Sequence, residues 1–171
     1  MGTSKKVKYK VIDNFLPEEE MVKLENLFVH DVEFPWYYQP NISFKEKTSE
    51  GKLFYMVHLL YSNHRPNSAY FPHIIPLVEK LKPNALIRIK ANFYPNQGAK
   101  TLNEFHRDYP FKHKGAIFSI NTCNGGTLLS DNTLIKSIRN RLLMFDPSEY
   151  HDSTNCTDNS KARINININY F

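Results

Sequence analysis

Residues 163–171 alternate without a slip: Arg163, Asn165, Asn167 and Asn169 fall on one side, and Ile164, Ile166, Ile168 and Tyr170 on the other. Successive side chains of an extended strand point to opposite faces, so this run separates cleanly as a strand, whereas a helix would scatter its isoleucines around the axis. The run 86–94 repeats the pattern, with Ile87, Ile89, Ala91 and Phe93 opposite Arg88, Lys90, Asn92 and Tyr94. Two such runs commit the C-terminal half to a β architecture and predict strands buried on at least one face. Their polar faces could meet water or line a cavity. Because Arg163 and the Asn92/Tyr94 pair both lie on polar faces, the cavity is the favoured reading, with the isoleucine faces covered by N-terminal helices.

The rest of the chain supplies those helices and further short strands. Residues 7–12 alternate like a strand, and 18–29 carry Met21, Val22, Leu24, Leu27 and Phe28 at helical intervals with acidic residues in the first turn. Residues 34–51 read as a long loop or short hairpin, 53–61 as a strand, and 68–81 as a second helix interrupted or bounded by Pro72 and Pro76. At 171 residues, 41% of them hydrophobic, the chain is expected to form one domain, 1–171, with 1–85 as the N-terminal helices and strands and 86–171 as the β core. Only two cysteines occur, outside any Cys-x-x-Cys spacing, so neither a zinc knuckle nor a disulfide framework is encoded and a cytoplasmic setting is expected. No stretch has the length and apolarity of a membrane span. The net charge of +5 comes from scattered lysines and does not by itself establish a nucleic-acid partner.

His106-Arg107-Asp108 is the chemical landmark. Residues two apart in an extended chain share a side, so His106 and Asp108 can reach one ion while Arg107 points away. With His151 from a distant strand they form the two-imidazole, one-carboxylate set that holds non-haem Fe(II) on one face and leaves other positions open. Arg163, twelve residues past His151, can return beside the metal as a guanidinium fork suited to a carboxylate. The tripeptide alone is a weak signal; the ordered constellation is a stronger one. A kinase catalytic loop would need Asn five residues after the Asp, where this chain has His113, and no Gly-x-Ser-x-Gly or Walker sequence anchors a hydrolase or NTPase.

These residues carry a resemblance. Residues 86–171 resemble the double-stranded β-helix core (a jelly-roll or cupin-like barrel, mainly β within an α+β chain) of the 2-oxoglutarate/Fe(II)-dependent oxygenases. Ser119-Ile120-Asn121 followed by Gly125-Gly126-Thr127-Leu128 is similar to a segment of the prolyl-4-hydroxylase-like branch. The stretch 141–146 before His151 looks like the strand that delivers the second histidine. Asn92-Phe93-Tyr94 resembles the Asn-x-Tyr of the DNA-alkyl-repair branch, although Asn169 stands where that branch would have a second arginine. The resemblance implies a dioxygenase that hydroxylates a substrate while 2-oxoglutarate is decarboxylated to succinate. It implies Fe(II) held by His106, Asp108 and His151, and 2-oxoglutarate held by Arg163 with Tyr94 and Asn92, and it admits ascorbate as an auxiliary. The contrasting reading is a non-catalytic jelly-roll module that binds metal or serves a structural or interaction role.

Substrate choice is expected to lie in Trp36, Tyr37, Tyr38 and 41–52, or in Tyr109-Pro110-Phe111, as lid or as core. A protein side chain, a small metabolite and a nucleobase are the candidate substrates, the first favoured by the resemblance. Asp146, Asp152 and Asn121 are candidate partners for the ligand imidazoles. His30, His58, His64, His73 and His113 are expected to be structural or surface residues.

Overall fold

The computed structural model describes residues 7–40, 54–99 and 105–171. Eleven strands alternate with two short helices: β1 (Tyr9–Ile12), α1 (Glu18–Glu25), β2 (Tyr37–Gln39), β3 (Tyr55–Ser62), β4 (Arg65–Pro66), α2 (Ile75–Leu81), β5 (Leu86–Pro95), β6 (Lys114–Ser119), β7 (Gly126–Leu129), β8 (Leu134–Lys136), β9 (Arg141–Phe145), β10 (His151–Ser153) and β11 (Ala162–Tyr170). The larger sheet runs β1-β9-β6-β11-β5-β3-β2, with β4 pairing β3, and the smaller runs β10-β7-β8. All pairings are antiparallel. This is the double-stranded β-helix, with the expected helices packed on the larger sheet.

The alternating runs are neighbours. β11 pairs with β5 so that Ile164, Ile166 and Ile168 stand opposite Phe93, Ala91 and Ile89, while Arg163, Asn165 and Asn167 stand opposite Tyr94, Asn92 and Lys90. The apolar side packs against Met21, Leu24 and Phe28 of the first helical segment and Leu77 of α2 in one core cluster. Each such fully buried side chain contributes about 1.5–3 kcal/mol over exposure. A second cluster, Ile117, Leu129, Leu143 and Phe145, fills the space between the sheets. β6 and β9 contribute to both clusters, Ala116 and Phe118 facing one way and Ile117 the other, and so read as continuous apolar runs.

Local chemistry sets the connections. Asn63 and His64 both have positive φ, the two-residue hairpin geometry, and join β3 to β4. Asn140, at φ 63°, donates to the Leu16 carbonyl at 2.9 Å and accepts from its N–H at 2.8 Å, tying the entry to α1 to the head of β9. Arg139 reinforces the same junction by gripping Glu18 and Glu25.

Three sequence expectations shift. The helix expected over 18–29 is α-helical only to Glu25. The turn Asn26–His30 then opens to a π pattern, Asp31 N–H reaching the Asn26 carbonyl, while the stripe Leu24, Leu27, Phe28 continues to face the core. The second helix begins as a 3₁₀ turn, Phe71–Ile74, because Pro72 and Pro76 lack the N–H groups that a longer α-helix would use. Within 34–51 the short strand β2 forms, and 41–51 lie outside the described residues. Among the described residues no helix is long and apolar enough to cross a membrane.

Candidate active site

His106 enters through a single antiparallel bridge to His151, each N–H bonding to the other's carbonyl, at 2.9 and 3.0 Å. Two residues on, Asp108 N–H bonds the Pro147 carbonyl, so both ends of the tripeptide are fixed to the segment that carries His151. Arg107 turns outward and stacks on Tyr150, as the spacing predicts. One ligand atom from each of His106, Asp108 and His151 lies within 4.8 Å of the others, and His106 Nε2 is 4.0 Å from Asp108 Oδ1. Bonds of about 2.1 Å to one divalent ion need only a further closing of roughly an ångström, well within side-chain reach.

The ligands are oriented from outside. His151 Nδ1 donates to the Glu149 carbonyl at 3.1 Å, which leaves Nε2 as the lone-pair donor, and Phe145 packs edge-on against the ring. Asp108, 5% exposed, accepts from Arg88 Nη2 on one oxygen and from Asn167 Nδ2 on the other, each at 3.2 Å. A carboxylate can only accept, and this sets the amide chain behind it. Asn167 Oδ1 accepts from Asn169 Nδ2, and Asn169 Oδ1 accepts from His113 Nε2. Desolvation works to raise the Asp108 pKa, but the neighbouring His151, Arg88 and Lys90 outweigh it and hold the carboxyl at about 2. For His151 burial dominates, lowering its pKa despite the facing carboxylate and keeping the imidazole neutral and able to coordinate.

Arg163, 1% exposed, is the largest fully buried side chain. Its Nη1 donates to the Thr154 carbonyl at 3.2 Å and its Nη2 to Thr127 Oγ1 at 3.0 Å, and it lies over the Tyr94 ring, 5.4 Å from the centroid. None of these partners neutralises it. The site's fit to an acidic co-substrate shows in the donors left over: Arg163 Nε and Asn165 Nδ2 are buried with no hydrogen-bond partner among the described residues. Asn92 spends its amide on Asn165 Oδ1 at 3.0 Å. Tyr94 stacks on Tyr55, and burial pushes its phenol pKa up against the pull of the Arg163 charge. Orphaned donors around a buried cation are costly unless an anion completes them.

Several expected roles fall elsewhere. Asp146 caps its own turn by accepting from Ser148, and Asn121 pins β11 through Ala162 and Ile164, so neither orients an imidazole; the Glu149 carbonyl does, an interaction invisible to side-chain reading. Trp36 is core, packed on Phe28, Phe34 and Phe93, while Tyr37 and Tyr38 are exposed. The segment 41–52, expected as lid or core, lies outside the described residues. His58 and His113 are buried structural histidines. Arg88 and Lys90 went unassigned in the sequence, although their i, i+2 spacing with Asn92 and Tyr94 already put them on the polar face.

No protein-family model matches this chain, and no curated protein matches it in sequence. Solved structures do match in shape. A Pseudomonas putida prolyl-4-hydroxylase superposes with TM-score 0.60 at 12% identity, covering 96% of this chain and 92% of that one. A Trichoplax adhaerens prolyl hydroxylase, solved with a hypoxia inducible factor peptide fragment, gives 0.63 at 17%, covering 95% and 83%. A Burkholderia pseudomallei oxidoreductase of the 2OG-Fe(II) oxygenase family gives 0.67 at 10%, covering 95% and 84%. The fold is therefore that of the 2-oxoglutarate/Fe(II) oxygenases.

Proposed function

We propose that the chain, working as one domain over 1–171, is an Fe(II)- and 2-oxoglutarate-dependent oxygenase that hydroxylates an organic substrate. The observation that carries this reading is the pairing of a metal-ligand cluster with a buried Arg163, which makes no salt bridge among the described residues, at the far end of the same polar strand face. A structural metal site has no use for such an arginine, so the pairing weighs against the non-catalytic module.

In this reading His106, Asp108 and His151 hold the metal, and Arg163 with Tyr94 and Asn92 receives the distal carboxylate of 2-oxoglutarate. The bound iron and co-substrate supply the oxidising chemistry, with succinate and CO₂ released. The protein's own work is positional. Arg88 and the chain from His113 through Asn169 and Asn167 fix Asp108, the Glu149 carbonyl fixes the His151 ring, and burial of the Asn92–Asn165 face keeps water from the co-substrate. Two of the three structures compared above are prolyl hydroxylases, one of them holding a peptide, so a protein side chain heads the substrate screen.

The test is anaerobic titration of the purified protein with Fe(II) and 2-oxoglutarate, followed by O₂. We expect a weak visible charge-transfer band, then succinate. His106→Ala should lose the band, and Arg163→Met should weaken 2-oxoglutarate binding while metal binding persists. A wild-type protein that binds iron but gives neither band nor succinate refutes the proposal.

A further inference from the structure

The polar face of β5 carries more positive charge than the reaction above uses. Three cations, Arg88, Lys90 and Arg163, lie on the polar sides of β5 and β11, with Asp108 and Asp152 as the buried carboxylates among the described residues. Fe(II) and 2-oxoglutarate add equal and opposite charge, so one positive charge is left over. Its location is legible. Arg88 bonds Asp108 at 3.2 Å, whereas no salt bridge engages Lys90 among the described residues; its ammonium rests over the Tyr55 ring, 5.6 Å from the centroid.

Strand register places Lys90 beside the metal rather than at the co-substrate's far end. Lys90 stands opposite Asn167, the residue that bonds Asp108, while Arg163 stands opposite Tyr94, four residues along β5 and so about 13 Å away. On its other side Lys90 pairs with Leu59 of β3. There the described strands leave a short gap in the sheet edge, because β2 leaves β3 after the Tyr37–Val57 pair and the edge is taken up again only where Asn67 N–H bonds the Leu60 carbonyl and β4 joins at Tyr61. A cavity of about 580 Å³ lies at this notch, lined by Tyr37, Val57 and Leu59 together with His58, Ser68 and Tyr70; Lys90 stands one strand inward of it, opposite Leu59. Directly opposed residues share a face, so Tyr37, Val57 and Leu59 lie on the same side of the sheet as Lys90 and Asn92.

We infer that the substrate bears a carboxylate received by Lys90, with Arg88 beside it, while its apolar body lies along this edge over Leu59, Val57 and Tyr37. This rests on the oxygenase reading for the place of the metal and of 2-oxoglutarate. A partly buried ammonium that makes no salt bridge among the described residues favours an acid over its neutral isostere.

The experiment is calorimetric titration of the protein loaded with Mn(II) and 2-oxoglutarate, which gives a binding signal without turnover. The probes are N-benzoylglycine, its primary amide, benzyl phosphate, and the peptide acetyl-Asp-Phe-amide. The acid should bind at least about tenfold tighter than the amide, the weight of one charge-assisted hydrogen bond. Lys90→Met should erase that preference while leaving the affinity for 2-oxoglutarate unchanged. Tighter binding of N-benzoylglycine or of the peptide assigns the carboxylate to a small acid or to a protein side chain.

Equal affinity of acid and amide overturns the inference, as does a preference for benzyl phosphate over both carboxylates. So does loss of 2-oxoglutarate binding in Lys90→Met, or loss of the acid preference in Arg163→Met but not in Lys90→Met. Repeating the titration without metal or 2-oxoglutarate separates the two readings. If the wild type binds no 2-oxoglutarate yet keeps a Lys90-dependent acid preference, the oxygenase reading fails and the acid site stands.

Discussion

Replacing Lys90 with methionine should stabilise the metal-free protein. Burial lowers the Lys90 pKa from its ordinary 10.5 to about 8, with Arg88 adding to the effect and Asp108 opposing it. An ammonium so displaced costs the fold about 3 kcal/mol at neutral pH. Its partial access to solvent trims that to about 2 kcal/mol. Methionine keeps the length and apolar stem of the side chain without the charge, and gives up only the contact of the ammonium with the Tyr55 ring. The sign fixes the pH dependence. Below pH 8 the ammonium is charged in both folded and unfolded chains and the full cost applies. Between 8 and 10.5 the folded form releases its proton first, so the wild type gains stability as pH rises, and above 10.5 the cost is gone. Urea unfolding should therefore show a midpoint for Lys90→Met higher by roughly 1 M at pH 7, narrowing toward the wild type by pH 10.5. A variant less stable at pH 7, or an advantage unchanged at pH 10.5, refutes the claim that this lysine is held at a loss.

Gly125→Ala would drive a methyl group into the Asn155 carbonyl and to 3.1 Å from Arg163 Cδ; it should cost about 1–3 kcal/mol in thermal unfolding and weaken 2-oxoglutarate binding by calorimetry. Asn140→Ala strands the buried N–H and carbonyl of Leu16 and should cost about 2–4 kcal/mol, while Asn140→Gly, which relieves the positive φ, should recover only a small part of it in the same denaturation assay. Mn(II) at about a hundred times its dissociation constant should add about 2.7 kcal/mol to the wild type, a gain that Asp108→Ala should forfeit in thermal melts.

The barrel was readable because alternation is a backbone property. In β5 and β11 each polar residue announces its face, and the isoleucines announce where the helices must lie. The metal cluster was equally legible, since His106 and Asp108 are tied by spacing and His151 by residue type. What spacing does not reveal is direction along a strand and the reach of flexible side chains. Arg88 and Lys90 share a face with Asn92, yet only the register of β5 against β11 shows that they lie toward Asp108 of the candidate ligand cluster while Tyr94 flanks Arg163. The amide chain behind Asp108 depends on three separate segments meeting, and the imidazole partner turned out to be the Glu149 carbonyl, a group every residue has. The shortening of α1 into a π turn leaves no mark on an apolar stripe that continues unbroken through it.

β11 is buried along its whole length, with hydrocarbon on one side and amides on the other. Inserting or deleting a single residue there would exchange the two sides, sending isoleucines toward the candidate metal ligands and asparagines under the helices. Descendants of this sequence can thus alter the strand letter by letter, but a change in its length would dismantle the hydrophobic interior and the reaction chamber together.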